Sequence, residues 1–228
     1  AIIREGVTVT RILTENGRVT GVETTQGPLL APIVVLAANV WSRALAKDLG
    51  IDLAITPTRH PMVALRRPHD FGGRHQPHAV GLDLIRQIYL RPDVGGITLV
   101  GALPDVHAES DPDHYAQGLT GKEIAHFQEA ASGSIPALAR SVPRGGWAGI
   151  YDDTPDSHPI LDRLPAYEGL YCAAGFSGHG FKLSPTIGAW MAHLILTGQK
   201  PADMQHFAYE RFAQGQEIRP RYSSGVLG

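Results

Sequence analysis

The stretch GLYCAAGFSGHGFKLSPTIGAWMAHLILTG, residues 169–198, limits the fold more than any other. An apolar run (169–176) reads as a short buried strand. It runs into GFSGHGFK (175–182), which holds three glycines in eight residues. Glycine at that density means sharp bends or a close approach to the backbone. The segment 184–198 then reads as a helix, with Ser184 as N-cap, Pro185 at the first helical position and Gly198 as the stop. Leu183, Ile187, Trp190, Met191, Leu194 and Ile195 fall on one face of it. Strand, glycine loop and helix N-terminus together form an anion-site geometry, because the free N–H groups and the dipole end are positive. Lys182 adds a full charge there. The GxxxxGK[ST] spacing of a phosphate loop is absent, and His179 stands where a nucleophile elbow needs glycine.

The rest of the chain is consistent with an α/β protein. VTVTRIL (7–13) reads as a strand, Asn16-Gly17 as a hairpin turn and 19–27 as the return strand. LLAPIVVLAA (29–38) reads as a strand buried on both faces, and 41–50 as a helix ending at glycine. The middle is β-rich, with strands at 55–66, 87–91 and 96–101 and a loop at 66–78. The segment 120–132 reads as a helix, where Thr120 and Glu123 form a capping box. Residues 141–162 read as strand, turn and short strand. The segment 213–228 has little pattern and reads as a disordered tail.

Composition excludes several classes of function. A net charge of −2 with no basic run argues against nucleic acid. The single cysteine, Cys172, excludes an intramolecular disulfide and a multi-cysteine zinc site, and fits a reducing, cytoplasmic setting. No signal peptide or membrane-length apolar run is present. Asp152, Asp153 and Asp156 lack the glycine and glutamate of a calcium loop and read as turn chemistry. The pairs His75/His78 and His107/His114 lack supporting metal ligands.

Three segments resemble FAD-dependent amine oxidoreductases, the family of sarcosine oxidase, glycine oxidase and D-amino-acid oxidase. GFSGHGFK with its helix is similar to that family's flavin loop. WAGIYDDTPDSHPILD (147–162) resembles a second family segment, nearest to the sarcosine oxidase β-subunit branch. Residues 6–42 resemble the strands that close the FAD domain. The resemblance implies an α/β fold: an α+β substrate sheet plus the remainder of a Rossmann-like FAD domain. It implies a remainder of the FAD-binding domain at 1–50, a β-rich substrate domain at 51–146, the C-terminal FAD-domain part at 147–212 and a tail at 213–228.

It further implies non-covalent FAD, contacted by Val9 and Ala38 through backbone atoms. Gly175, Phe176, Ser177, Gly178, His179, Gly180, Phe181 and Lys182 would wrap the flavin. His179, Lys182 and Tyr151 carry the expected catalytic roles, with Tyr151 and Lys182 on a substrate carboxylate. The implied reaction oxidises a small secondary amine or amino acid to an imine. The alternatives are a non-catalytic partner and a small-acid binding module.

The departures from the family pattern are specific. The G-x-G-x-x-G fingerprint, which seats the pyrophosphate, is absent. The chain therefore reads as the C-terminal portion of such an enzyme, inactive alone. It would need an N-terminal segment, another subunit or a homodimer, and would associate or dissolve poorly in isolation. Asn39 stands where relatives carry glycine. Gly149 stands where some relatives attach flavin through cysteine, and Thr98 where oxidases carry an oxygen-activating lysine.

Overall fold

The computed structural model describes residues 1–71, 78–103 and 111–219. The chain divides into two compact units. One joins Ala1–Thr56 to Tyr151–Gly228, and the other is Pro57–Ile150.

In the first unit, β1 (Val9–Glu15), β2 (Arg18–Thr24) and β3 (Leu29–Leu30) form an antiparallel sheet. Asn16 and Gly17 between β1 and β2 both have positive φ, 49° and 76°. That is the primed turn whose twist matches the strands it joins. A second sheet has the order β10–β11–β4, from β4 (Val34–Leu36), β10 (Ile160–Arg163) and β11 (Leu170–Ala174). β11 pairs parallel with β4 and antiparallel with β10, and every residue of β11 is buried. Leu36, Ile160, Leu170 and Cys172 share a core with Ile12 and Val19 of the antiparallel sheet. The helix α1 (Trp41–Lys47) follows β4.

The expected strand over 29–38 is corrected. It is broken into β3 and β4 around Pro32, which has no N–H to give a ladder. Only Leu36 of β4 is buried, while Ile33 and Val35 are 42% and 40% exposed. Among the described residues β4 has one strand neighbour, β11.

The long helix α3 spans Gly180–Thr197, so it begins inside the glycine loop. Ser184 is not its cap and Pro185 is not its first residue. Pro185 cannot donate to the carbonyl of Phe181 four residues back. Ser184 Oγ donates to that carbonyl instead, at 2.9 Å. The proline is thereby carried within the helix, and the cap position falls to His179, which makes no side-chain cap. Ile187, Met191 and Leu194 are buried against Leu161, Tyr171 and Ala173. Gly198, at φ 72°, ends the helix.

The start of the expected tail is also tied down. Gln216 N–H donates to Arg211 O at 2.8 Å, and Ile218 N–H to Asp156 Oδ2 at 3.0 Å. Residues 220–228 lie outside the described residues.

The second unit is built on a sheet of order β6–β7–β8–β5–β9. Its strands are β5 (Thr56–Arg66), β6 (Gly81–Asp83), β7 (Ile88–Asp93), β8 (Ile97–Ala102) and β9 (Val142–Asp153). β6 had no separate signal in the sequence. Phe127 and Ala131 of α2 (Gly121–Ser134) pack on Val63, Leu65, Leu90 and Val100. Thr120 and Glu123 form the expected capping box. Among the described residues no helix is long and apolar enough to cross a membrane.

Candidate active site

β11 delivers the chain, fully buried, to Gly175. Gly175, Ser177 and Gly178 then take φ of 77°, 49° and 82°. Three left-handed residues within four turn the backbone through the loop and straight into α3. Two of the three are glycine, the residue that adopts this conformation without strain. At Gly178 the need is doubled: a Cβ there would overlap the ring of Tyr151, with Cδ2 only 2.9 Å away.

The loop is held by the end of β9 and the turn after it. Asp152 is 5% exposed, and its Oδ2 accepts the Gly175 N–H at 2.6 Å. The Thr154 N–H donates to Ser177 Oγ at 3.2 Å, and Thr154 Oγ1 donates to His158 O at 2.7 Å. Burial pushes the Asp152 carboxyl above its usual range, and the N–H groups of Gly175 and Phe176 work against that. Asp152 and Thr154 as clamps escaped the sequence reading, which took the aspartates for turn residues. The partner amide lies 23 positions away.

This bond gives a paired prediction. Asp152→Asn keeps an acceptor for Gly175 and removes a charge that burial disfavours, so stability at neutral pH should hold within about 1 kcal/mol. Asp152→Ala strands the buried amide and should cost about 1–3 kcal/mol. Chemical denaturation of the two variants measures both. Equal losses would show that the carboxylate does not act as the acceptor.

The structure brings Tyr151, His179 and Lys182 together around this loop. Tyr151, half-buried, lies against Gly178. His179 occupies the N-cap position of α3 without a capping hydrogen bond from its side chain, and is half-buried. Burial, and then the charges of Lys182 and His158, lower its pKa below the ordinary histidine value, so it is neutral at pH 7. Lys182 is exposed in the first turn of α3, where no acidic residue stands. Helix end and ammonium thus present positive potential to one place. Phe181 is 98% exposed.

Val9 and Ala38 sit on other elements. Val9, 37% exposed, opens β1. Ala38 follows β4, and its N–H donates to Ser42 Oγ at 3.0 Å. Beside it Asn39 takes φ 51°, the left-handed conformation in which asparagine is the best substitute for glycine.

Several other candidates are occupied elsewhere. Thr98 is fully buried, with Oγ1 2.8 Å from His78 Nε2. His114 Nδ1 contacts Asp111 Oδ2 at 2.8 Å. His75 and His107 lie outside the described residues, among which no group of three metal-ligating side chains comes together. Cys172 is buried, and burial pushes its thiol up to about 12, so it is inert. A cavity of about 590 Å³ in the second unit is lined by Arg66, Arg67 and Phe71. Arg67 there is committed to Ile97 O and to the Phe71 ring.

Residues 1–194 match the family described as FAD dependent oxidoreductase, DAO. The chain is 32% identical over 199 residues to glycine oxidase from Pseudomonas putida, covering 87% of this chain and 51% of that protein. It is 31% identical over 219 residues to sarcosine oxidase subunit beta from Rhizobium meliloti, covering 91% and 47%. Among solved structures, L-proline dehydrogenase from P. horikoshii superposes with a TM-score of 0.80 at 28% identity, covering 93% of this chain and 55% of that one. The chain spans about half the length of these relatives.

Proposed function

The chain belongs to the FAD-dependent oxidoreductase family, and on that premise we propose that it forms the flavin-loop half of an enzyme oxidising a small carboxylate-bearing secondary amine or amino acid. The observation that carries the reading is the left-handed turn at Gly175, Ser177 and Gly178. Anchored by Asp152, it presents backbone and Lys182 at the start of α3. The positive helix end fits a flat ring system that gathers negative charge when it is reduced. Residues 175–182 would hold FAD along one side, with Val9 and Ala38 giving backbone contacts, bound without a covalent link. When bound, FAD supplies two-electron oxidation of the C–N bond to an imine.

The chain's own groups bind and orient. Lys182, aided by the α3 dipole, holds the substrate carboxylate. Tyr151 donates its O–H to the same carboxylate. His179, neutral, offers a hydrogen bond beside the reacting face and adds no proton of its own at pH 7. The first unit takes the cofactor role and the second the substrate sheet. The pyrophosphate fingerprint, which these 228 residues do not contain, comes from further polypeptide in the same or another chain. The β-subunit relatives support a subunit of a larger assembly. The family match and the preserved loop geometry weigh against a partner that has lost its flavin.

In the complete, FAD-loaded protein, Lys182→Met is expected to raise KM for a carboxylate-bearing amine roughly 10- to 100-fold, the loss of one charge-assisted bond. Steady-state kinetics checks this. An unchanged KM with normal flavin content would remove Lys182 from the substrate.

A further inference from the structure

The second unit holds a cavity of about 590 Å³ that the proposed reaction does not use. Its walls come from the end of β5, the chain just beyond it and the turn between β7 and β8. β5 ends at Arg66, which pairs with Ile97 in the ladder, and the Arg67 N–H donates to Gly96 O at 2.8 Å. Two successive arginines thereby reach one opening. Gly95 and Gly96, at φ of 66° and 74°, form another wall. A Cβ at either would meet nothing within 4 Å, so bare backbone borders open space there. Pro68 and Phe71 give the cavity an apolar side, and His69 also lines it.

Charge is unbalanced at this place. Arg59, Arg86, Arg91 and Arg140 of the same unit each stand 2.7 to 3.9 Å from a carboxylate. Arg66 and Arg67 have no such partner among the described residues, and no acidic side chain among them lines the cavity. Asp70, the acid in the same stretch, is taken by Arg140 at 2.9 Å. Arg66 is exposed. Arg67 is oriented by its bond to Ile97 O at 2.8 Å and by the Phe71 ring 5.9 Å from its guanidinium. That bond spends one of its five N–H donors and leaves the others for a ligand. An oriented guanidinium beside a second one without a protein partner matches a phosphate, whose oxygens accept two parallel N–H bonds at a time. At about 30 Å³ for each water-sized atom, the space admits roughly twenty non-hydrogen atoms. Inorganic phosphate would leave most of it empty.

We propose that this cavity binds a phosphate monoester of nucleotide size, with its phosphate on Arg66 and Arg67 and its apolar body against Pro68 and Phe71. The site lies wholly in the second unit and does not depend on the flavin reading.

The probe is adenosine monophosphate, measured by calorimetry on this chain beside adenosine and inorganic phosphate. It should bind roughly tenfold or more tightly than either control. Arg66→Glu should weaken it by at least about tenfold. Arg66 has no ion pair to lose, so that variant should keep the circular dichroism and thermal midpoint of the wild type. Arg67→Met should weaken binding as well. Lys182→Met, in the first unit, should leave it unchanged.

Adenosine binding as tightly as its monophosphate overturns the proposal, because the arginines then contribute nothing. Inorganic phosphate binding as tightly also overturns it, because the apolar side then contributes nothing. So does the absence of binding by the monophosphate. Undiminished binding in Arg66→Glu, or an equal loss in Lys182→Met, places the nucleotide elsewhere and overturns it too. The KM test of Lys182 stands apart from all of these outcomes.

Discussion

Arg211→Ala should destabilise the protein by about 3–5 kcal/mol, the range for breaking a buried ion pair by removing one partner. Arg211 is 2% exposed although it lies near the end of the described chain. Its Nε donates to Asp156 Oδ2 at 2.7 Å and its Nη2 to Asp156 Oδ1 at 2.9 Å, a two-pronged pair. Further donations go to His158 O at 2.7 Å and Ala208 O at 3.1 Å. Asp156 also accepts from the N–H groups of His158 and Ile218. Loss of the guanidinium leaves a buried carboxylate with no cationic partner, held only by the Thr154 hydroxyl and the N–H groups of His158 and Ile218, and frees the segment after Phe212.

Arg211→Lys keeps the charge but not the planar fork, and should still lose more than half of the effect. Acidification should act in the same direction. Burial alone would raise the Asp156 carboxyl, but Arg211 and the Ile218 N–H outweigh it and hold the group below its ordinary value. A depressed carboxylate contributes its stability above the unfolded value, near 4, and loses it as pH falls through the folded value. The wild-type and Arg211→Ala denaturation curves should therefore converge below about pH 4. A loss under 1 kcal/mol at pH 7 would mean that the pair is not a fastening of this unit.

The second large effect is expected at Gly178. Gly178→Ala must hold a Cβ at φ 82° and drive it into the Tyr151 ring. Strain of about 1–2 kcal/mol adds to an overlap of similar size, giving about 2–4 kcal/mol in all. The change also displaces the first turn of α3, so flavin retention should fall with stability. A double variant separates the two causes. Tyr151→Ala removes the overlap and leaves the φ strain, so Gly178→Ala should cost about 1 kcal/mol less in that background. Denaturation of the four proteins measures this coupling. Strict additivity would assign the whole effect to the backbone and none to the ring.

What could be read along the sequence was governed by neighbours in the chain. Asn16-Gly17 makes its turn because those residues tolerate positive φ, whatever surrounds them. Thr120 and Glu123 cap α2 because three residues bring each side chain to the other's amide. The apolar run of β11 and the glycines after it announced a buried strand and a bend. The motif order around them carried the family.

The tertiary structure decided what depends on distant partners. Pro185 is an ordinary helix-start signal, yet α3 begins five residues before it because Ser184 Oγ supplies the donor that the proline lacks. The apolar letters of 33–35 gave no sign that β4 has one strand neighbour among the described residues, with Ile33 and Val35 open to solvent. Asp152 and Asp156 look alike on the page, as two acids near a proline. One clamps an amide 23 residues on, and the other is buried with an arginine 55 residues on. Residue type and local spacing determine turns, caps and strands, because those energies are settled within a few residues. Which polar side chain is buried, and against what, is settled only when the folded chain removes both partners from water together.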